Sequence, residues 1–309
     1  MNRTLTYYIE ETHSNMTIDK FLRSKGYSRQ NIVDLKKMKE SIILNDEWVH
    51  INRVLNNGDI LTIHIQENNS SEKIPPVNIH IDIIYEDEDI IVINKPAGMP
   101  VHPSMDNYTN SLGNALAYYY GKQNKPFIFR CTNRLDKDTS GLTVVAKNML
   151  SASIISAAIR EHNIVREYNA IVCGHPKPSY GTITAPIARK DASIIEREVN
   201  FETGDSAITH YNVLSTHNNL SLVHLTLETG RTHQIRVHMK YIGCPLAGDK
   251  LYNDNLTNNS PIYIEETHSD YIKRQALHCQ RLSFKHPITG KDLVFEAPLP
   301  DDMRYLLEN

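Results

Sequence analysis

The segment RCTNRLDKDTSGLTVVAK, residues 130–147, contains the acidic side chain best placed to do chemistry. Arg134 and Asp136 are two positions apart in a stretch predicted to be extended, so both side chains project to the same side. An aspartate there could be an ion-pair partner, a metal ligand, a general base or a nucleophile. Most aspartates in turns such as Asp-x-x-Thr-Ser-Gly only cap the backbone, so spacing alone leaves these roles open.

A second group of polar side chains lies in TGRTHQIRVHMKYIG, residues 229–243, where a turn is predicted to lead into a helix. Thr232 and Arg236 are four positions apart and would share one helix face. His233 and His238 are five positions apart and would not share a face, and no acidic residue accompanies them at a metal-binding spacing. We therefore predict no metal site. The alternative role for Arg236 is an ordinary ion pair on the surface.

Tyr168 is the third candidate, in the predicted strand REYNAIVCG, residues 166–174. A tyrosine in a strand usually contributes half-buried packing. Its ring can also offer a flat face to a nucleobase, an interaction worth about 1–3 kcal/mol per stacked base. The local sequence does not decide between these roles.

The elements that must position these residues are mostly strands. Two β-branched runs, 81–84 and 90–93, flank the acidic residues 86–89 and predict a hairpin with a solvated, charged tip. A helix capped by Ser111 is predicted to end at Gly121. Further strands are predicted at 142–146, 167–174, 208–216 and 220–228, and a further helix at about 151–161. This mixture is typical of an α+β protein.

A domain boundary is predicted where QENNSSEKIPP is polar and ends in two prolines. We divide the chain into an N-terminal domain, residues 1–66, a linker, residues 67–76, and a body, residues 77–309. In the first domain, apolar residues at helical spacing predict two short helices, followed by a small sheet. Positions 20–39 carry seven basic residues against one acidic residue, Asp34. Such a charge run is either a solvated face or a phosphate-binding surface.

Composition excludes several classes of protein. The 309 residues carry a net charge of -3, with 10 basic and 10 acidic side chains in residues 1–76 and 23 and 26 in the rest. A uniformly basic coat for nucleic acid is excluded, so any phosphate would be bound by local patches. The four cysteines are scattered, the first residues contain no apolar stretch of signal-peptide length, and the sequence contains no run of eighteen apolar residues. We expect a cytoplasmic protein with no membrane contact.

Taken in order, NKPAGMPVHP, NRLDKDTSGL, REYNAIVCG and TGRTHQIRVHM resemble the large-ribosomal-RNA-type pseudouridine synthases. CPLAGDKLY, LHCQRLSFKHPITG and FEAPLP agree as well, so the resemblance covers nearly all of residues 77–300. It implies an α+β fold with a mixed, mainly antiparallel central sheet and flanking helices and loops. It also implies an enzyme that isomerises uridine to pseudouridine in RNA by flipping the base out of its helix, with no cofactor.

Residues 17–65 resemble the small RNA-binding domain of ribosomal small-subunit protein four. The resemblance depends on Ile18-Asp19-Lys20-Phe21-Leu22, on Ser28-Arg29 and on a turn at Asn45-Asp46, where Asp46 replaces the usual glycine. A small N-terminal α/β RNA-binding domain is therefore expected. The residues expected to contact RNA are Lys20, Arg23, Arg29, Lys36 and Lys37.

The resemblance also implies roles within the body. Asp136 corresponds to the catalytic aspartate of the family, and Arg134 to the arginine that enters the RNA helix where the target nucleotide leaves. Tyr168 matches the tyrosine that packs on the base, Arg236 the cation paired with the catalytic carboxylate, and Ile235 an apolar contact beneath the base.

Four other positions of these motifs would have supporting roles. Gly230, Thr232 and His233 would mainly shape the loop. Asn133 stands where many relatives have histidine, which we interpret as a change in a supporting hydrogen bond.

The expected substrate is large-subunit ribosomal RNA, and transfer RNA is the alternative. The enzyme is expected to be a monomer. A second hypothesis is a non-catalytic RNA-binding or assembly factor built on the same fold. A third, a His-rich metal hydrolase, lacks ligand spacing. Asp136 together with Arg236 favours the enzyme, because a purely binding protein would not need to retain both.

Overall fold

The structure is a computed structural model, and it describes residues 1–191, 193–253 and 272–308. The elements of the N-terminal domain are β1 (Asn2–Tyr8), a short 3₁₀ helix (Glu11–His13), α1 (Ile18–Ser24), α2 (Arg29–Lys37), β2 (Ile42–Leu44), β3 (Glu47–Trp48) and β4 (Ile60–Gln66). The strands form an antiparallel sheet in the order β1-β4-β2-β3. The predicted order of helices before a sheet is therefore incomplete, because β1 precedes both helices and pairs with β4 along its whole length.

Local sequence accounts for the shape of this domain. Thr17 and Ser28 each accept a backbone hydrogen bond through the side chain at the start of α1 and α2. The turn from β2 to β3 places Asn45 at φ 50° and Asp46 at φ 66°. Two central residues with positive φ define a type I′ hairpin turn, and Asn and Asp tolerate that conformation. Asp46 therefore forms the turn that glycine usually provides.

A ten-stranded sheet forms the body. The strands that follow the first domain are β5 (Asp82–Glu86), β6 (Ile90–Lys95), β7 (Arg130–Cys131), β8 (Ser140–Ala146), β9 (Val165–Cys173), β10 (Tyr180–Thr184), β11 (Ile187–Arg189), β12 (Arg197–Val199), β13 (Ile208–His217), β14 (Leu220–Leu227), β15 (Leu277–Lys285) and β16 (Asp292–Glu296). The sheet has the order β10-β13-β14-β9-β15-β8-β6-β5, with β16 beside β15 and β7 beside β8, while β11 and β12 form a separate pair. Among the described strands only β15 and β8 run parallel, which confirms the mixed, mainly antiparallel sheet.

Four helices flank this sheet: α3 (Leu112–Gly121), α4 (Met149–Arg160), α5 (Gln234–Tyr241) and α6 (Asp301–Glu308). Ser111 caps α3, which ends at Gly121, as predicted. The prediction that Thr232 shares a helix face with Arg236 is wrong, because α5 begins only at Gln234. His233 precedes it in the left-handed conformation, at φ 58°. No helix in the described ranges combines the length and apolar character needed to cross a membrane.

The acidic tip of the β5–β6 hairpin is not the solvated turn that its sequence predicts. Asp89 is 3% exposed and receives both arms of the Arg3 guanidinium, at 3.0 and 3.1 Å. Glu86 receives the Lys147 ammonium at 2.7 Å. Only Glu88 among the four acids has a largely exposed side chain. The donors come from distant parts of the chain, and the Arg3 contact makes the acidic run part of the joint between the two domains.

The two domains also share apolar packing. Met149 and Leu150, at the start of α4, are buried in the core of the N-terminal domain. The predicted linker contains no helix or strand, yet Glu67 at its start is buried and receives both arms of Arg130, at 2.7 and 3.0 Å. The N-terminal domain is therefore fixed against the body at several points.

Candidate active site

The candidate active site is a cleft of about 1180 Å³ where separate parts of the body meet. The loop between β7 and β8 contributes one wall, β9 the second, and the segment that leads into α5 the third. All five residues predicted for the substrate site line this cleft: Arg134, Asp136, Tyr168, Ile235 and Arg236. The structure therefore brings together side chains that are up to 102 positions apart in the sequence.

Asp136 faces a cation inside the cleft. Its Oδ2 lies 3.3 Å from Nη1 of Arg236, and its side chain remains 28% exposed. The carboxylate is thus held on one side by the protein and open on the other to a molecule in the cleft. This geometry suits a group that acts on a bound substrate.

Arg236 is itself held by Asp249, a residue that the sequence analysis did not identify as functional. Nε and Nη2 of Arg236 donate to the two carboxylate oxygens of Asp249 at 2.7 and 2.8 Å. Asp249 is fully buried and also accepts from the backbone N–H groups of Leu251 and Tyr252. Two parallel bonds fix the plane of a guanidinium, so Asp249 aims the remaining nitrogen at Asp136. The sequence signal for it was the CPLAGDKLY segment, which had no assigned role.

His233 lies closer to Asp136 than the loop-shaping role predicted for it suggests. Its Nε2 is 3.9 Å from Oδ2 of Asp136, and its Nδ1 is 2.7 Å from the hydroxyl of Tyr252. Burial lowers the pKa of His233 below its usual value, and the positive charge of Arg236 acts in the same direction. The nearby Asp136 carboxylate acts in the opposite direction but does not reverse the shift in pKa, so burial favours the neutral ring. The Tyr252 ring in turn packs 4.8 Å from the Arg236 guanidinium, which closes this side of the cleft.

Asn133, near the start of the loop that carries Asp136, anchors this loop through hydrogen bonds. Asn133 is buried, and its Oδ1 accepts from the backbone N–H of Val144 on β8 at 2.8 Å. The backbone carbonyl of Asn133 accepts from the Thr143 hydroxyl at 2.9 Å. Asn133 therefore pins the loop to a fully buried strand, in agreement with the supporting role interpreted from the sequence.

Lys95, which was not identified from the sequence, also supports the loop that carries Asp136. It is fully buried, and its ammonium donates to the backbone carbonyls of Pro96, Met99 and Lys137 at 2.9, 2.8 and 3.0 Å. Burial lowers the pKa of Lys95 to about 7. Because Lys137 follows Asp136 directly, this ammonium ties the β6 end to the backbone of the Asp136 loop.

Tyr168 and Ile235 give the cleft an apolar side. Tyr168 is 5% exposed on β9, and burial raises the pKa of its hydroxyl, so the group stays protonated at all working pH values. Ile235 is 4% exposed in the first turn of α5. A flat aromatic face and an aliphatic group beside an aspartate fit a planar, weakly polar ring such as a nucleobase.

Arg134 is exposed on the loop wall, next to the buried Leu135. The five N-terminal residues predicted to contact RNA do not line the cleft, and they are exposed on the surfaces of α1 and α2. Arg23 donates to Asp19 at 2.8 Å, and Lys37 lies 3.8 Å from Asp34. Two of the five residues predicted to contact RNA are therefore partly neutralised by acidic neighbours.

Within the described ranges, three potential metal-ligating side chains converge only at Asp87, Asp89 and His286, outside the cleft. Hydrogen bonds already engage these atoms. Asp87 accepts from His286 at 2.8 Å, and Asp89 accepts from Arg3 and Asn148. These contacts explain the group as part of the joint between the domains.

Comparison with known proteins identifies the family. Residues 89–241 match the family model described as RNA pseudouridylate synthase. The RNA pseudouridine synthase YjbO of Bacillus subtilis is 38% identical over 293 residues, which cover 95% of this chain and 99% of that protein. Ribosomal large subunit pseudouridine synthase D of Buchnera aphidicola is 38% identical over 295 residues, covering 95% and 93%.

A solved structure agrees with these relatives. Human RNA Pseudouridylate Synthase Domain Containing 4 matches with a TM-score of 0.59 and 27% identity, over 74% of this chain and 92% of that one. The sequence relatives, the family model and the fold therefore give one answer: the chain belongs to the RNA pseudouridine synthases, enzymes that isomerise uridine in RNA.

Proposed function

We propose that this enzyme isomerises uridines of large-subunit ribosomal RNA and that Asp136 is its catalytic residue. The substrate proposal is supported by relatives named ribosomal large subunit pseudouridine synthase D. The one from Zymomonas mobilis is 42% identical over 75% of this chain, and the one from Buchnera aphidicola is 38% identical over 95%. The observation that carries the catalytic proposal is the Asp136 carboxylate, open to the cleft and held by Arg236 at 3.3 Å.

The reaction needs only positioning and acid–base chemistry. The bond between uracil N1 and ribose C1′ breaks, the base rotates, and C1′ bonds to C5. The proton on C5 leaves and N1 gains one, so atoms and electrons balance without an oxidant or reductant. Asp136 would act on the nucleotide at this step, and Arg236 would keep its carboxylate oriented.

Access to the base requires that the nucleotide leave its helix. Flipping one nucleotide costs a few kcal/mol in lost pairing and stacking. We propose that Arg134, exposed on the loop wall, fills the space that the nucleotide leaves. Tyr168 and Ile235 would then receive the base, and stacking on an aromatic ring offsets about 1–3 kcal/mol of the cost.

The N-terminal domain would add phosphate contacts through the exposed faces of α1 and α2. Lys20, Arg29 and Lys36 carry no ion pair within the described residues, so their charges are available to RNA. We propose that Arg23 and Lys37 contribute less, because Asp19 and Asp34 already neutralise part of their charge.

Mapping pseudouridines in total RNA from cells with and without the gene tests the proposed substrate. We expect one or more pseudouridines of large-subunit ribosomal RNA to disappear in the deletion strain. They should return with the wild-type gene but not with a gene that encodes Asp136→Asn. Loss of pseudouridines from transfer RNA alone would contradict the ribosomal substrate but would agree with pseudouridine synthase activity. Restoration of the pseudouridines by Asp136→Asn would contradict the role of Asp136.

A further inference from the structure

Arg166 is a buried cation whose partner is missing from the described part of the chain. It is 9% exposed at the start of β9 and lines the cleft. No hydrogen bond or ion pair of its side chain is found among the described residues, and its Nε is enclosed without an acceptor. Burial of an unpaired charge is strongly unfavourable, so such a group indicates an anion that arrives with a ligand.

Other enclosed arginines of the body have carboxylate partners. The buried Arg236 and the partly buried Arg274 each bind an aspartate through two hydrogen bonds. The acid nearest to Arg166 in sequence is Glu167, but successive strand residues point to opposite faces. Glu167 instead accepts from His224 and Arg281 on its own side of the sheet, at 3.0 and 2.5 Å.

The geometry places Arg166 beside the position proposed for the target base. Arg166 and Tyr168 are two residues apart on β9, so both project into the cleft. The backbone at Gly230 passes directly against the guanidinium, since a Cβ atom there would lie 2.9 Å from Nη1. The loop before α5 thus confines Arg166 without giving it an acceptor.

We propose that Arg166 binds a phosphodiester group of the RNA at the nucleotide whose base packs on Tyr168. This proposal rests on the proposed function, because RNA supplies the anion. A guanidinium matches phosphate oxygens with two parallel hydrogen bonds. A uracil carbonyl would satisfy the N–H groups but would leave the charge uncompensated, so phosphate is the ligand that the burial of Arg166 requires.

The first test compares Arg166→Met with a surface control, Lys285→Gln, whose side chain is 71% exposed and outside the cleft. The probe is the hairpin RNA around the uridine found by mapping. Arg166→Met should bind it at least about tenfold more weakly. The slope of log affinity against log salt should decrease by about 0.7–0.9, as for one lost phosphate contact. Lys285→Gln should match the wild type.

Thermal unfolding of the free protein separates binding from folding. Because no partner is removed, Arg166→Met should have a melting temperature equal to or above that of the wild type. A lower melting temperature with unchanged RNA affinity would show that Arg166 is a structural residue and would overturn the proposal. Gly230→Ala, which displaces the guanidinium without removing it, should weaken RNA binding in the same direction.

Neutral methylphosphonate linkages, introduced one at a time, locate the contact. In the wild type one linkage should reduce affinity about tenfold, and in Arg166→Met that same linkage should have no effect. An identical pattern in both proteins would overturn the phosphate contact. Unchanged affinity with slower single-turnover isomerisation would assign Arg166 to the base instead. If mapping finds no modified uridine, the same scan on oligouridylate still tests the contact, so its failure is distinct from failure of the proposed function.

Discussion

Replacement of Asp249 by asparagine should disable the enzyme although Asp249 does not face the substrate. Asp249 is fully buried and accepts both parallel bonds from Arg236, whose third nitrogen points at Asp136. An asparagine has the same shape but offers one acceptor, and its amide N–H group would face the guanidinium. Arg236 would lose one bond and its strongest counter-charge.

The expected magnitude follows from the burial of this pair. Removal of one partner from a buried ion pair destabilises a protein by about 3–5 kcal/mol. Since the introduced amide would keep one hydrogen bond and Asp136 would remain nearby, Asp249→Asn should lower the free energy of unfolding by about 3 kcal/mol, the lower end of that range. Misplacement of a group near the reacting atoms by about 1 Å lowers turnover about 10²-fold, which is the loss expected here.

The assay is single-turnover isomerisation, with nucleosides separated after nuclease digestion, beside urea unfolding of the same preparation. Asp302→Asn is the control, because Asp302 also accepts two bonds from an arginine, Arg274, at 2.7 and 2.8 Å, but outside the cleft. Its side chain is 36% exposed, so the change should lower stability less than Asp249→Asn and leave the isomerisation rate of the folded protein near that of the wild type. A wild-type rate for folded Asp249→Asn would refute the positioning role.

The remaining predictions concern the domain joint, the response to pH and the basic helices. Arg3→Ala should destabilise the protein by roughly 3 kcal/mol in urea unfolding, because it leaves the buried Asp89 without its cation, whereas exposed Arg53→Ala should have little effect. Burial lowers the pKa of His278 to about 4, so between pH 6.5 and 4 the unfolded chain binds a proton that the folded chain does not. The free energy of unfolding should therefore decrease as the pH drops, and this group alone should lower it by about 2 kcal/mol at pH 5 relative to neutral pH. Unfolding curves for His278→Gln should lack this decrease. The double variant Arg29→Gln/Lys36→Gln should flatten the salt dependence of RNA binding without loss of fold; an unchanged slope would remove α2 from the RNA contact surface.

The double variant on α2 tests the role of the N-terminal domain in RNA binding better than deletion of the whole domain would. The start of α4 is buried in the core of that domain, so a chain without residues 1–70 would expose Leu150 to water. A change in activity after deletion would then report damage to the body as well as lost RNA contacts. Surface substitutions on α2 leave this packing intact.

Much of the site could be predicted from the sequence because its residues lie in short, continuous motifs. Asp136 and Arg134 share one loop, and Tyr168 sits in a strand whose alternation is plain. Asp249 and Tyr252 could not be assigned in the same way, since their roles exist only through contacts with Arg236 and His233. Those contacts depend on how the loop after α5 folds back, which no local pattern specifies.

The acidic residues 86–89 also show that a local pattern does not predict contacts between distant segments. A run of four acids beside a turn predicts a solvated tip, and an isolated hairpin would behave so. In the folded chain Arg3, Lys147 and His286 supply hydrogen-bond donors from three distant segments. The fold class was predictable because it depends on strand and helix patterns, whereas the joint depends on charges that meet only after folding.

The most direct test of the account is turnover by Asp136→Asn compared with Asp138→Asn, a neighbouring change in the same loop. Asp136→Asn should form no detectable pseudouridine under single-turnover conditions, while its affinity for the RNA should stay within about threefold of the wild type, since in the proposed function Asp136 would contact one nucleotide only. Asp138→Asn should retain activity. Measurable isomerisation by Asp136→Asn would contradict the assignment of Asp136 as the catalytic residue.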